Sequence, residues 1–271
     1  MSDRVTCIIE GGVADVRLNR PEKMNALDPA MFAGLVETGE ALKNDKSVRA
    51  VVLSGEGRAF CAGLDFGNFQ QMAGEGPRNE RKGTGPLGET DGRITHLGQQ
   101  AAWVWMEMPV PVIAAVHGVA LGGGCQIAMG ADLRYVRPDA QFSVLEIRWG
   151  LTPDMTITAI LPQLVGLDVA KELTFTGRMV SGEEAVRIGL ATKVCDDPRA
   201  DALALAHDIA AKNPDAVRGA KKLLNMSGKV SLAEQFDVER KTIGALIGSP
   251  NQVEAVKAFF EKRAATYTDP T

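Results

Sequence analysis

The sequence predicts an α/β protein in which strands and helices alternate over residues 1–195 and the remainder, 196–271, is helical. Near the N-terminus, a Gly-Gly turn separates two short runs of β-type residues. Further on, the apolar run Pro111–Val116 has the length and composition of a strand buried on both faces. After residue 154 the apolar spacing becomes helical. Capping-box sequences open at Ser181, Ser231 and Ser249.

Local signals define the elements of the first half. Gly11-Gly12 is a turn signal between two strands. Asp28 followed by Pro29 predicts the start of a helix, since aspartate caps free amides and proline fits the first helical position. From Gly67 to Gly92 the sequence loses periodicity, which predicts either a mobile flap near a site or a poorly ordered segment. The predicted strands are Val5–Ile9, Val13–Leu18 and Val48–Ser54, and a further helix runs from about Arg93 to Met108.

The segment from Pro111 to Asp154 carries the chemistry. A buried strand leads into Gly122-Gly123-Gly124, where the small residues let another molecule approach the backbone. The first amides of the following helix have no partners inside it and can donate to an anionic oxygen. Glu146 and Asp154 come later as candidate proton carriers. Oxyanion donors beside a carboxylate are the groups that enolate chemistry requires.

Asp154 also has a structural interpretation. Thr152 and Pro153 fit the cap and the first position of a helix. An acid in the first turn of such a helix would interact favourably with the helix dipole. Catalysis and helix stabilisation therefore both stay open for this residue.

Composition narrows the function classes. The net charge of −4 disfavours nucleic-acid binding, which needs a basic surface. The four cysteines are scattered and no Cys/His spacing suits a metal, so we expect isolated thiols in a reducing compartment. Neither a signal peptide nor an apolar run long enough for a bilayer is apparent, so we expect a cytoplasmic protein without a membrane partner. The G-x-G-x-x-G motif of dinucleotide-binding sites is also absent, because Ile127 stands where its last glycine should be.

A series of motifs runs through nearly the whole chain. They are Asn19-Arg-Pro…Met-Asn-Ala-Leu27, Phe60-Cys-Ala-Gly-Leu-Asp65, Val116-His-Gly-Val-Ala-Leu-Gly-Gly-Gly-Cys125, Ala140-Gln-Phe142, Glu146 and Leu173-Thr-Phe-Thr-Gly177. Together and in this order, they resemble the crotonase family, the enoyl-CoA hydratases and isomerases. The resemblance implies a spiral of repeated ββα turns, with C-terminal helices that assemble homotrimers, often paired into hexamers. It also implies an acyl-CoA thioester substrate and no separate cofactor, because coenzyme A is part of the substrate.

The resemblance further implies roles for individual residues. The thioester oxygen would sit between the backbone N–H groups of Leu64 and Gly123, and backbone donors place no demand on side-chain identity. Glu146 would carry the proton, and Gln126 and Trp149 would line the substrate pocket. The positions expected to contact coenzyme A are Met24, Ala26, Ala62, Asp65, Phe66 and Gly122, with Phe259 and Lys262, which in relatives reach the ligand of a neighbouring subunit.

One position departs from the hydratase pattern. Hydratases use two glutamates, and one of them falls on Gln126 here, where an amide cannot act as a carboxylate base. Dienoyl-CoA isomerases match better, since Glu146 and Asp154 fit two of their three acids, although the third again falls on Gln126. We therefore expect double-bond isomerisation, with hydration by Glu146 alone as the alternative. A catalytically silent acyl-CoA-binding homologue is the alternative from another class, because fold does not fix function.

Overall fold

The structure, a computed structural model, describes residues 3–65, 90 and 92–270. The strands in this range are β1 (Val5–Glu10), β2 (Val13–Leu18), β3 (Ala50–Gly55), β4 (Val112–Val116), β5 (Val119–Leu121), β6 (Leu133–Val136), β7 (Gln141–Ser143), β8 (Val180–Ser181) and β9 (Lys193–Val194). The helices are α1 (Pro29–Asn44), α2 (Leu97–Glu107), α3 (Gly123–Met129), α4 (Ile157–Val165), α5 (Leu167–Thr176), α6 (Gly182–Arg187), α7 (Pro198–Ala210), α8 (Pro214–Met226), α9 (Leu232–Leu246) and α10 (Pro250–Glu261). The predicted aperiodic segment 67–92 falls almost entirely on 66–89 and 91, which lie outside the described residues.

The N-terminal hairpin forms as predicted. β1 and β2 pair antiparallel from Val5 opposite Leu18 to Glu10 opposite Val13. Gly11 and Gly12, between them, have φ values of +57° and +79°. A turn with two left-handed residues matches the twist of the flanking strands, and glycine adopts it without steric cost. The Gly-Gly pair therefore fixes the register of the hairpin.

The chain winds alternately through two sheets. The larger has the strand order β1-β2-β3-β4-β6-β9 and is parallel from β2 onward, while β5, β7 and β8 form the smaller. Thus β4 in the large sheet is followed by β5 in the small one, and β6 is followed by β7. Earlier turns continue this layer, since Cys61 bridges Ala120 and Leu27 bridges Leu64. This repetition is the spiral that the resemblance implies.

Hydrophobic side chains fill both faces of the large sheet. The main core lies under α1 and α2 and contains the fully buried Trp105 and Phe60. On the opposite face, α7 packs alanines against buried strand residues such as Val52 and Ile113. These alanines are Ala202, Ala206 and Ala210, one turn apart on one side of the helix. The first helix after residue 195 therefore covers the preceding sheet, while the division into 1–195 and 196–271 stays a prediction.

Polar caps fix the helix starts that the sequence indicated. Asp28 accepts a hydrogen bond from Met31 N at 2.8 Å, with Pro29 in the first position of α1. Serine hydroxyls likewise accept from the amide three residues later, at 3.1, 3.2 and 3.3 Å. These serines are Ser181, Ser231 and Ser249. No helix within residues 3–65, 90 and 92–270 is both long enough and apolar enough to cross a membrane.

The start of α2 differs from the prediction. The helix begins at Leu97 rather than at about Arg93. Its cap is His96, whose Nδ1 accepts from Gly98 N at 3.1 Å, while Gln99 Oε1 accepts from His96 N at 3.2 Å. A histidine in a reciprocal capping box is uncommon, because serine, threonine, aspartate and asparagine are the preferred caps. The sequence signal was therefore weak at this position.

Candidate active site

A glycine turn connects β5 to α3. Gly122 has a φ of +50°, in the left-handed region that favours glycine. A methyl group added at Gly122 would lie 3.4 Å from Glu146 Oε1, and one added at Gly123 would lie 2.7 Å from Leu27 Cδ1. Gly123 opens α3, and its N–H has no acceptor among the described residues. The turn thus presents an unpaired backbone donor close to the Glu146 carboxylate.

Leu64 brings a second backbone donor to this turn. Leu27 N donates to Gly63 O at 2.8 Å, and Asp65 N donates to Leu27 O at 3.1 Å. Because successive residues of an extended chain direct their N–H groups to opposite sides, Leu64 N–H faces away from Leu27, and no described residue accepts from it. A methyl group added at Gly63 would lie 3.8 Å from Gly123 N. The segment that carries Leu64 N–H therefore runs beside the Gly123 donor.

Glu146 directs its carboxylate at the same turn. Its Oε1 accepts a hydrogen bond from Gln126 Nε2 at 2.6 Å. Its Oε2 is buried and has no hydrogen-bond partner among the described residues. Burial raises the pKa of Glu146; the charge of Asp154 adds to this effect, and the Gln126 hydrogen bond opposes it. A carboxyl group with one unbonded oxygen and a raised pKa is suited to take and return a proton.

Gln126 is fully buried and its amide has one orientation. Its Oε1 accepts from Met155 N at 2.9 Å and from Ile157 N at 3.4 Å. Since backbone amides can only donate, the oxygen must face them and the Nε2 group must face Glu146. Gln126 therefore reaches the site through Glu146 and leaves no second carboxylate at this position.

The segment around Asp154 does not start a helix. The predicted start at Thr152 and Pro153 is wrong, because α4 begins at Ile157 after Thr156, which has a φ of +75°. Thr156 makes no side-chain cap bond. Asp154 thus lies ahead of the first turn of α4, and the proposed interaction with a helix dipole does not explain its presence.

Asp154 acts electrostatically on the other acid of the site. Its charge is among the causes that raise the pKa of Glu146. Although Asp154 is exposed as a residue, protein atoms crowd its carboxyl group and raise its own pKa, and the nearby His96 opposes that shift. The structure therefore brings the two candidate proton carriers into one electrostatic environment.

Four of the residues expected to contact coenzyme A lie on two neighbouring segments of the chain. The structure brings together Met24, Ala26, Ala62 and Asp65. Ala62 N donates to Met24 O at 2.9 Å. Arg20 Nη1 donates to Ala26 O at 3.1 Å and to Asp65 Oδ2 at 2.7 Å. This cluster adjoins Leu64, whereas Phe66 lies outside the described residues.

The remaining predicted positions are exposed at the surface. Trp149 ends the short 3-10 turn that Glu146 opens, and 45% of its surface is exposed. Phe259 lies on α10 with 79% of its surface exposed, and Lys262 follows the end of that helix with a φ of +54°. Their contact with the ligand of a neighbouring subunit stays a prediction.

Sequence reasoning did not single out two residues that hold the loop in place. These residues are Arg20 and Asn25. Asn25 is fully buried and has a φ of +56°. Its side chain donates to Ala59 O at 2.8 Å and to Phe60 O at 3.2 Å. Asparagine adopts left-handed backbone more readily than most residues, and this preference was the signal in the sequence that could have indicated the role of Asn25.

A large cavity lies away from this site. It is an open groove with a volume of about 820 Å³ between the end of α2 and the helices α8 and α9. Its lining includes Met106, Arg218, Lys221 and Leu246, and none of the candidate catalytic residues. The candidate active site is therefore identified by its backbone donors and carboxylates, and it does not coincide with this groove.

Known proteins resemble this chain over almost its whole length. A family model described as enoyl-CoA hydratase/isomerase matches residues 8–270. The short-chain-enoyl-CoA hydratase of Clostridium acetobutylicum is 35% identical over 257 residues, covering 94% of this chain and 93% of that protein. The mitochondrial Delta(3,5)-Delta(2,4)-dienoyl-CoA isomerase of Mus musculus is 35% identical over 262 residues, covering 93% of this chain and 77% of that protein.

A solved structure has the same fold. The enoyl-CoA hydratase from Bacillus anthracis matches with a TM-score of 0.84 and 28% identity, covering 97% of this chain and 98% of that one. The crotonase-type spiral that the sequence predicted is thereby confirmed. A hydratase and an isomerase are thus each 35% identical to this chain.

Proposed function

The chain belongs to the enoyl-CoA hydratase/isomerase family, and on this premise we propose that it moves a carbon–carbon double bond in an enoyl- or dienoyl-CoA thioester. Proteins of this family act on acyl-CoA thioesters. In our proposal coenzyme A enters as part of the substrate and no further cofactor takes part. The protein assembles as a homotrimer or hexamer, with Phe259 and Lys262 reaching the ligand of a neighbouring subunit.

The observation that carries this proposal is the bonding of Gln126. Water addition in the two-glutamate pattern needs a second carboxylate where this amide stands, and an amide cannot accept a proton from water at neutral pH. Its oxygen is occupied by the backbone amides of Met155 and Ile157, and its nitrogen donates to Glu146. Gln126 therefore supplies no second ionisable group beside Glu146, and a single carboxylate is sufficient to relocate a double bond.

The reaction proceeds through a thioester enolate. Glu146 Oε2, which has no hydrogen-bond partner among the described residues, removes a proton from the carbon next to the thioester. The electrons of that C–H bond move toward the carbonyl, whose oxygen becomes negative and is held by Leu64 N–H and Gly123 N–H. Return of the proton to a carbon further along the chain completes the shift, with no net gain or loss of atoms. For a dienoyl substrate Asp154 is the second proton carrier.

Hydration is the second candidate. Its support is the 35% identity to the short-chain-enoyl-CoA hydratase of Clostridium acetobutylicum. In that case Glu146 alone would position and deprotonate water. A silent acyl-CoA-binding protein is the third candidate, and it predicts binding without turnover.

The deciding experiment offers the purified protein 2-enoyl-, 3-enoyl- and 3,5-dienoyl-CoA thioesters. Changes in conjugated absorbance report isomerisation, and the appearance of 3-hydroxyacyl-CoA reports hydration. We expect isomerisation to dominate and Glu146→Ala to abolish it, while Glu37→Gln, which removes an exposed acid on α1, leaves it unchanged. Hydration as the main turnover, or full turnover in Glu146→Ala, would contradict the proposal.

A second variant tests the role of the amide. Gln126→Glu restores a carboxylate beside Glu146 and keeps an acceptor for the amide of Met155. If the missing acid is what limits hydration, this variant should gain hydratase activity toward 2-enoyl-CoA. No gain would mean that water is not positioned at this point of the pocket.

A further inference from the structure

Arg20 is a largely buried cation with several acceptors around it. Its side chain is 12% exposed, and that of Asp65 is 23% exposed. Arg20 Nη1 lies 2.7 Å from Asp65 Oδ2 and 3.6 Å from Asp28 Oδ2, and it also donates to Ala26 O at 3.1 Å. An ion pair with so little solvent is screened weakly, so its geometry is held more firmly than that of a surface pair.

The acceptors of Arg20 lie at the two ends of one backbone bridge. That bridge joins Leu27 to Leu64. Ala26 precedes Leu27, and Asp65 follows Leu64. Arg20 therefore links both segments across the bridge, directly beside the peptide that carries Leu64 N–H. The 45 positions between Arg20 and Asp65 make this a tertiary contact rather than a local one.

The loop on the Arg20 side would not hold this shape by itself. Met24 and Asn25 are consecutive non-glycine residues with φ values of +50° and +56°. Such conformations persist only where surrounding contacts impose them. The Asn25 side chain supplies one set of contacts, to Ala59 O and Phe60 O, and Arg20 supplies the other.

We propose that the Arg20–Asp65 ion pair is a positioning device for the Leu64 N–H donor, and that Asp65 serves this pair rather than binding coenzyme A directly. The inference rests on the proposed function, in which Leu64 N–H holds the thioester oxygen. An oxyanion donor works only if it is aligned before the charge develops, and a displacement of about 1 Å can cost about a hundredfold in rate. A carboxylate also repels the anionic diphosphate of coenzyme A, whereas it attracts the guanidinium of Arg20, from which it lies 2.7 Å away.

The test uses acetoacetyl-CoA, whose enolate absorbs in the near ultraviolet. The full-length protein and the variants Arg20→Gln, Asp65→Asn and the double variant are compared for three readouts. These are the enolate fraction of bound acetoacetyl-CoA at fixed pH, kcat on the best thioester, and the Kd of coenzyme A alone. Arg4→Gln is the matched control, because it removes a neighbouring arginine, which pairs with Asp28 at 2.9 Å, and keeps both members of the Arg20–Asp65 pair.

We expect each single variant to lower the enolate fraction and to reduce kcat roughly tenfold to a hundredfold, with the Kd of coenzyme A changed less than about threefold. The double variant should be no worse than the singles, because both remove the same contact. If Arg20→Gln fails to fold, the near-isosteric Asp65→Asn still removes the charge that makes this contact an ion pair. If the variants bind coenzyme A more weakly but keep the wild-type enolate fraction, the positioning role of the ion pair is overturned and the proposed function stands. If wild type itself does not enolise acetoacetyl-CoA, the proposed role of Leu64 N–H is overturned as well.

Discussion

Replacing Gln126 by methionine removes an amide that serves three partners. The lost bond to the Glu146 carboxylate, at 2.6 Å, involves a charged group, for which about 1.5–3 kcal/mol is typical. The Met155 N–H, now at 2.9 Å from its acceptor, would be left buried and unpaired, which costs about 1–3 kcal/mol. The Ile157 bond is long at 3.4 Å and adds little. Since Glu146 can relieve part of the loss by taking up a proton, we expect the free energy of unfolding to fall by about 2–4 kcal/mol.

The same change moves the acid limb of the pH–rate profile. The Gln126 hydrogen bond favours the ionised form of Glu146, so its removal raises the pKa of Glu146 further. The base form then appears only at higher pH, and kcat/KM should start to rise later on the pH axis. At the plateau kcat should remain about tenfold to a hundredfold below wild type, because the carboxylate is no longer held in one orientation.

Urea unfolding and the pH dependence of kcat/KM measure the two effects. Gln163→Met is the matched control, since Gln163 is exposed on α4 and its side chain donates to Ala159 O within its own helix. The control should change neither quantity. An unchanged acid limb in the Gln126 variant would refute the role of this amide in tuning Glu146, whatever the loss of stability.

Three further changes test charged groups, two at the candidate site and one away from it. Asp154→Asn removes a like charge, so the pKa of Glu146 should fall and the acid limb of kcat/KM should move to lower pH. Glu146→Gln should gain free energy of unfolding relative to wild type as pH rises from acid to neutral. Folding raises the pKa of the Glu146 carboxyl, so wild type loses stability as pH rises from the ordinary glutamate pKa through the raised one, and the glutamine variant does not. Urea titrations at two pH values measure the difference in the free energy of unfolding. Lys221→Met removes the cation that pairs with the Asp132 carboxylate, which lies 2.6 Å from Lys221 Nζ. We expect the free energy of unfolding, measured with urea, to fall by about 3 kcal/mol. This is near the low end for a broken buried pair, because Val112 N still donates to that carboxylate. The first expectation is contradicted if the acid limb of Asp154→Asn does not move, and the second if the stability difference between Glu146→Gln and wild type stays constant across pH. The third is contradicted if Lys221→Met lowers the free energy of unfolding by less than about 1 kcal/mol.

Elements whose signals are local were predictable. Asp28 and Pro29 specify the start of α1 because the cap bond reaches only to Met31. Gly11 and Gly12 specify the hairpin because the left-handed turn needs no distant contact. The same local logic failed at Thr152 and Pro153. Those residues satisfy the composition of a helix start, while the helix begins only at Ile157.

The site depends on contacts between distant segments, which periodicity and capping do not encode. Gln126 bonds to Glu146, 20 positions later, and to Met155, 29 positions later. The motif pattern could mark Gln126 as unusual, but its partners follow only from the way the spiral stacks its turns. Arg20 and Asp65 likewise meet across 45 positions. Asn25 was visible in the sequence as a residue tolerant of left-handed backbone, without any indication of what it would hold.

The origin of the functional groups has an evolutionary consequence. In the proposed mechanism Leu64 and Gly123 offer main-chain amides, so a mutation nearby that preserves backbone shape would also preserve the enolate-binding half of the machinery. The proton-handling half resides in side chains, and a single-base codon change can exchange glutamine for glutamate at position 126. Descendants of one ancestral scaffold can therefore diverge in reaction type while inheriting the same way of holding the thioester.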